Sequence, residues 1–147
     1  MSVLSQIIAS KALIIPVAAW FVAQALKTII QALREKHLNP RYFARAGGMP
    51  SSHASLVCAL ATTVGIVYGI SSDVFAISVI LAGVVMYDAA GVRQKVDKQS
   101  VILNHLLVEF PRTQLEFESF LRQLVGHTRF QVAAGAALGV LLALWWA

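Results

Sequence analysis

Between Ala54 and Ser72 the chain carries no charged residue, and between Phe130 and Ala147 it again carries none. Ala12 to Ile30 holds a single charge, Lys27. A helix needs about 20 apolar residues to cross the hydrocarbon core of a bilayer, with roughly 17 tolerated. These three runs reach that length. A fourth, Val74 to Tyr87, lies between Asp73 and Asp88 and reaches it only by carrying Asp88 into the membrane. Helices in a soluble core would show a polar stripe every three to four residues, and these runs show none. The pattern predicts an all-α integral membrane bundle in one domain, 1–147, with four transmembrane helices at about 12–33, 54–71, 73–91 and 130–147. Composition agrees, with 58% hydrophobic and 13% charged residues, where a soluble domain carries about 25% charge. A disordered chain and a large multidomain enzyme are both excluded. The single cysteine, Cys58, excludes a disulfide framework and a cysteine-rich metal site.

The polar remainder falls into two blocks, 34–53 and 88–129, which four spans place on one side of the membrane. The first block sets Arg34, Lys36, Arg41 and Arg45 against Glu35. The second sets Arg93, Lys95, Lys98, Arg112, Arg122 and Arg129 against five acids, whereas the opposite side offers Lys11 and Asp73. The excess of positive charge predicts cytoplasmic blocks in a cell (inner) membrane, although a phosphate site would also call for basic residues. Lys11 ahead of an apolar run resembles the start of a signal peptide, but the run continues through Lys27 and reads as a retained span.

Within the second block, Leu103, Leu106, Leu107 and Phe110 recur at helical spacing before Pro111 interrupts. Thr113 and Glu116 form a capping-box pattern ahead of a second stripe, Phe117, Phe120, Leu121 and Leu124. Two short amphipathic helices at the interface or under the bundle are expected. Gly135 and Gly139 give the last span a face for close helix packing, and Trp145 and Trp146 suit an interfacial anchor.

Two segments carry chemistry. In Gly47-Gly48-Met49-Pro50-Ser51-Ser52-His53, glycines permit a tight turn and Pro50 suits a helix start. The amides of Ser51, Ser52 and His53 would then point outward and bind an anion. Gly126-His127 precedes a second apolar helix on the same side. Each alone is most simply a helix cap with a surface histidine. Together, two histidines can flank one phosphorus centre, one attacking as neutral imidazole and the other protonating the departing oxygen. Arginine and lysine would hold the remaining oxygens. Lys27 inside the first span is costly without a partner; it either snorkels to the interface, pairs with Asp88, or serves a site with Arg34 and Arg93. A metal bound by His53, His127 and Asp88 is chemically conceivable, but no histidine spacing supports one, and no cofactor is expected.

These residues resemble the divergent PAP2 family, small membrane proteins related to type 2 phosphatidic acid phosphatases and vanadium-dependent haloperoxidases. The similarity lies in GGMPSSH at 47–53, DAAGVRQ at 88–94 with Gln99 and Leu103-Asn104 after it, and GHT at 126–128; Gln24 and Lys27 also suit the family. The superfamily motifs are KxxxxxxRP, PSGH and SRxxxxxHxxxD. Pro50-Ser51-Ser52-His53 is similar to the second, which implies that His53 protonates the leaving group and that Ser51 and Ser52 line the substrate site. Lys27 and Arg34 repeat the lysine–arginine spacing of the first, with Glu35 in place of proline. His127 would be the nucleophile that forms a phosphohistidine. No SR stands at the required distance before it, which leaves Arg93 as the phosphate-binding arginine. Gln131 stands where the superfamily has an acid, and Gln94 and Asp97 replace the usual arginine and glycine. An amide oxygen at 131 can still orient the imidazole, and Asp88 could take the acid's place.

The resemblance implies a phosphatase acting on a lipid phosphate or diphosphate, with the bilayer and a phosphorylated lipid as partners, no nucleic acid, and a homodimer left open. A non-catalytic protein that binds anionic headgroups or a partner is the alternative, favoured by Gln131 and the missing SR. A transporter using Lys27 and Asp88 is a third option. His37 and His105 match no catalytic motif.

Overall fold

A computed structural model describes residues 9–36, 48–108 and 128–147, without the side chains of 35, 92–98 and 100–108. The described chain is helical: α1 (Lys11–Glu35), α2 (Ser52–Tyr68), α3 (Asp73–Val108) and α4 (Arg129–Trp146). Among the described residues α1, the stretch Asp73–Gly91 of α3, and α4 are long and apolar enough to cross a membrane. α2 is equally apolar but has 17 residues, about 25 Å of helix.

α2 is the central element and packs against each of the other three, whereas α1 and α3 do not touch among the described residues. Its neighbours fix the directions of the bundle. Ser55 Oγ donates to the Ala19 carbonyl of α1 at 3.2 Å. At the far end, Lys11 Nζ donates to the Ala147 carbonyl at 2.8 Å. Against α4, Ser51 faces Gly135 and Ser55 faces Gly139. Against α3, Phe75 lies on Gly65, and Cys58 Sγ donates to Met86 Sδ at 3.6 Å. α2 and α4 therefore run parallel to each other and antiparallel to α1 and α3. The first turns of α2 and α4 share one end of the bundle with the last turns of α1, and α3 returns to that end.

Small residues make the closest contacts. A Cβ at Gly135 would collide with the Ser51 carbonyl oxygen and stand 3.0 Å from the Ser51 amide nitrogen. One at Gly139 would collide with the Ser55 carbonyl oxygen and stand 3.0 Å from the Ala59 nitrogen. Ile15, Ala19, Ala59 and Ala143 complete this seam. Backbones brought this close gain dispersion contacts that large side chains would block, which is how helices associate where lipid removes the hydrophobic drive. The large apolar residues face outward instead: Phe21, Leu33, Ile77, Ile80 and Leu141 are each more than half exposed. This is the inside-out distribution of a chain whose outer solvent is hydrocarbon.

The connection from α2 to α3 is tight. Gly69 caps α2 at φ 86°, a left-handed value that favours glycine. Ser72 Oγ then accepts the Phe75 N–H at 3.2 Å and starts α3. α3 does not stop at the membrane boundary. It continues unbroken through Leu103, Leu106 and Leu107 to Val108, so the first expected amphipathic helix is the end of the third helix. No proline intervenes to break the helix before Pro111. The second expected amphipathic segment, 113–124, lies outside the described residues.

Candidate functional site

At the shared end, Lys27, Ile30, Gln31 and Arg34 of α1 line a cavity of about 220 Å³ together with Gly48, Met49 and Gln131. The four α1 residues fall at i, i+3, i+4 and i+7, which puts them on one helix face over two turns. Lys27 is only 5% exposed. Arg34, by contrast, is an exposed side chain in the last turn of α1, where a cation also suits the negative helix end.

The opposite wall comes from the turn before α2. Gly48 has φ 90°, and a Cβ there would stand 2.9 Å from Lys27 Cγ and 3.0 Å from Cδ. Glycine is thus required twice, for the backbone angle and for the room that the lysine shaft occupies. The Met49–Pro50 peptide is cis. Ser51 caps α2, its Oγ accepting the Ala54 N–H at 3.4 Å.

The third wall is the first turn of α4, where Thr128 and Gln131 form a reciprocal capping box. Thr128 Oγ1 accepts the Gln131 N–H at 3.3 Å, and Gln131 Oε1 accepts the Thr128 N–H at 3.0 Å. The Gln131 carbonyl also accepts the Ser51 N–H at 3.1 Å, tying the starts of α2 and α4 together. Two helix N-termini, each with a partial positive charge, thus flank a cavity lined by Lys27 and Arg34. No acidic side chain is among its described lining residues. Such a cavity favours an anion.

The expected site residues divide into groups. Lys27, Arg34 and Gln131 come together in the cavity. Ser51 and Ser52 are buried beside it, at 0% and 4% exposure. The outward-pointing Ser51 amide requires a correction: glycines 135 and 139 let α4 approach so closely that the Gln131 carbonyl takes that N–H. His53 is exposed in the first turn of α2 and is not among the cavity-lining residues. Asp88 is exposed on α3, which has no contact with α1 among the described residues. The Lys27–Asp88 pair is therefore not formed. Antiparallel packing, with Cys58 against Met86, sets Asp88 about one turn short of the start of α2. Gln99 is exposed on the extension of α3. Arg93 and Asn104 lie on the same helix, with side chains outside the described residues, and His127 itself lies outside them. Among the described residues no group of three or more histidine, cysteine, aspartate or glutamate side chains could hold a metal ion.

Gln31 is the cavity residue that motif reading misses. Its signal is its place four residues after Lys27 and three before Arg34, on the face that both share.

The fold and this cavity define a small helical membrane protein with a cavity lined by basic side chains at one end of the bundle. The chain belongs to the divergent PAP2 family, whose family model matches residues 8–142. It is also similar to the uncharacterized membrane protein YuiD of Bacillus subtilis (strain 168), at 36% identity over 138 residues, covering 86% of this chain and 87% of the relative. No solved structure matches.

Proposed function

We propose that the protein is a membrane phosphatase that hydrolyses a lipid phosphate or diphosphate. The observation that carries this reading is the buried Lys27 in a cavity shared with Arg34, built against Gly48 and the N-terminus of α4. Lys27 and Arg34 add positive charge to a cavity with no acidic side chain among its described lining residues, and an anionic substrate group complements that charge. In the proposed reaction His127 attacks phosphorus, the bond to the lipid oxygen breaks, and His53 gives its proton to that oxygen. Water then displaces the phosphoryl group from His127 and releases phosphate. Lys27, Arg34 and Arg93 hold the non-bridging oxygens, where charge accumulates. Asp88, near the start of α2, serves His53 or His127 as a proton partner.

Four crossings fit this reading, since α2, although short, is the core of the bundle. The site end then faces the cytoplasm of a cell membrane. Purified protein should release phosphate from phosphatidic acid or a polyprenyl diphosphate without added metal, and vanadate should inhibit the release. Equal rates for wild type and His127→Ala would contradict it.

A second reading is favoured by two observations, the commitment of Gln131 Oε1 to its helix cap and the position of His53 outside the cavity lining. In it the cavity binds an anionic headgroup without turnover. Lipid binding that falls in Lys27→Ala, with no phosphate released from any ester, would select it.

A further inference from the structure

The cavity has two kinds of wall. Lys27, Gln31, Arg34 and Gln131 are polar, whereas Ile30 and Met49 are apolar and both half-buried. We infer that Ile30 and Met49 form a hydrocarbon subsite beside the anion position. It takes the first carbons of a long-chain alcohol esterified to the phosphate, and the chain leaves sideways between α1 and α4 into the bilayer. The inference rests on the reading of the cavity as an anion site.

Helical geometry makes Ile30 a border residue. Leu26 stands four residues before it and Leu33 three after, so the three share one face of α1. Leu26 and Leu33 are exposed, Leu33 by 74%, and that face is turned outward to lipid. Lys27, Gln31 and Arg34 line the cavity, and Ile30 belongs to both faces. On α4 the same change takes one step along the chain: Gln131 lines the cavity, and Phe130 before it is 70% exposed. α1 and α4 meet at their other ends, where Lys11 reaches Ala147 and Ile15 shares a seam with Ala143. Toward the site end the cavity is lined by Ile30 and Arg34 from α1 and by Gln131 from α4. An apolar strip on α1 therefore runs from the cavity wall to the outside of the bundle, with Phe130 at the same end of α4.

A basic wall continuous with an apolar strip is complementary to an amphiphile. A free phosphate ion would complement Lys27 and Arg34 but would leave Ile30 and Met49 without an apolar neighbour. A phosphate ester of a sugar would set hydroxyl groups against two side chains that accept no hydrogen bond of ordinary strength. An ester of a fatty or prenyl alcohol sets methylenes there instead, and each buried methylene is worth about fourfold in affinity. Its chain stays in hydrocarbon while its phosphate reaches Lys27, so no apolar surface has to be drawn into water.

The test uses the full chain in detergent micelles, titrated calorimetrically with inorganic phosphate and with butyl phosphate, a water-soluble ester. Wild type should bind butyl phosphate about tenfold or more tighter than phosphate, the effect of about two buried methylenes. Ile30→Thr and Met49→Gln retain much of the side-chain volume and make the wall polar. Each should lower the ratio of the two affinities severalfold. Ile80→Thr, on the exposed face of α3, should keep the wild-type ratio. A ratio near one in wild type, a ratio moved by neither cavity variant, or one lowered as much by Ile80→Thr overturns the inference and leaves the anion site standing. Failure of wild type to bind either ligand overturns the anion-site reading itself, and this inference with it.

Discussion

Gly48 and Lys27 are fitted to each other: a Cβ on the glycine would stand 2.9 Å from the lysine Cγ. The turn before α2 thus forms the groove along which a buried cation reaches the cavity. Gly48→Ala must either move that shaft or open the turn, and its φ of 90° is strained for any side chain. Phosphate binding should fall in this variant, and stability should drop by about 1–2 kcal/mol. Calorimetry and chemical unfolding in mild detergent measure the two effects separately.

Lys27→Met tests the charge without changing the length of the side chain much. Removing one charge-assisted contact should weaken phosphate binding by about tenfold or more. The helical circular dichroism spectrum should persist, because a thioether fits an apolar bundle. Binding equal to wild type would mean that Lys27 serves packing alone.

The seam between α2 and α4 gives a contrast between glycines. Gly139→Ala puts a methyl into the Ser55 carbonyl, and overpacking of this kind costs about 1–3 kcal/mol. Gly83, on α3, has open space around it. Gly83→Ala should be neutral or gain up to about 1 kcal/mol from helix propensity. Unfolding midpoints of the two variants decide this directly, and a larger loss at Gly83 would contradict the packing described.

The membrane helices were legible because uninterrupted apolar length is a one-dimensional property. Lys27 and Arg34 could be paired because seven residues make nearly two turns. Other features depend on where separate helices meet. Nothing local in Ser51 says that its amide will be taken by Gln131; that follows from the approach which Gly135 and Gly139 permit. The Thr128–Gln131 cap was present in the sequence at capping-box spacing, but a superfamily motif pointed Gln131 toward histidine chemistry instead. The apolar stripe at 103–107 suggested a separate helix, because periodicity reports a helical face and not where the preceding helix ends.

Topology supplies an independent check on the direction of the site. With Cys58 changed to serine, a cysteine introduced at Lys36 and one at Ser71 should react with a membrane-impermeant maleimide from opposite sides. In intact cells Ser71→Cys should be labelled and Lys36→Cys protected. The reverse pattern would place the basic end outside.

Phosphate release from phosphatidic acid by purified wild type and His127→Ala, measured side by side without added metal, is the most direct test of the proposed function. The account predicts vanadate-sensitive release by wild type and none above background by the variant. Equal release by both, or none by either on lipid phosphates and diphosphates, would contradict it.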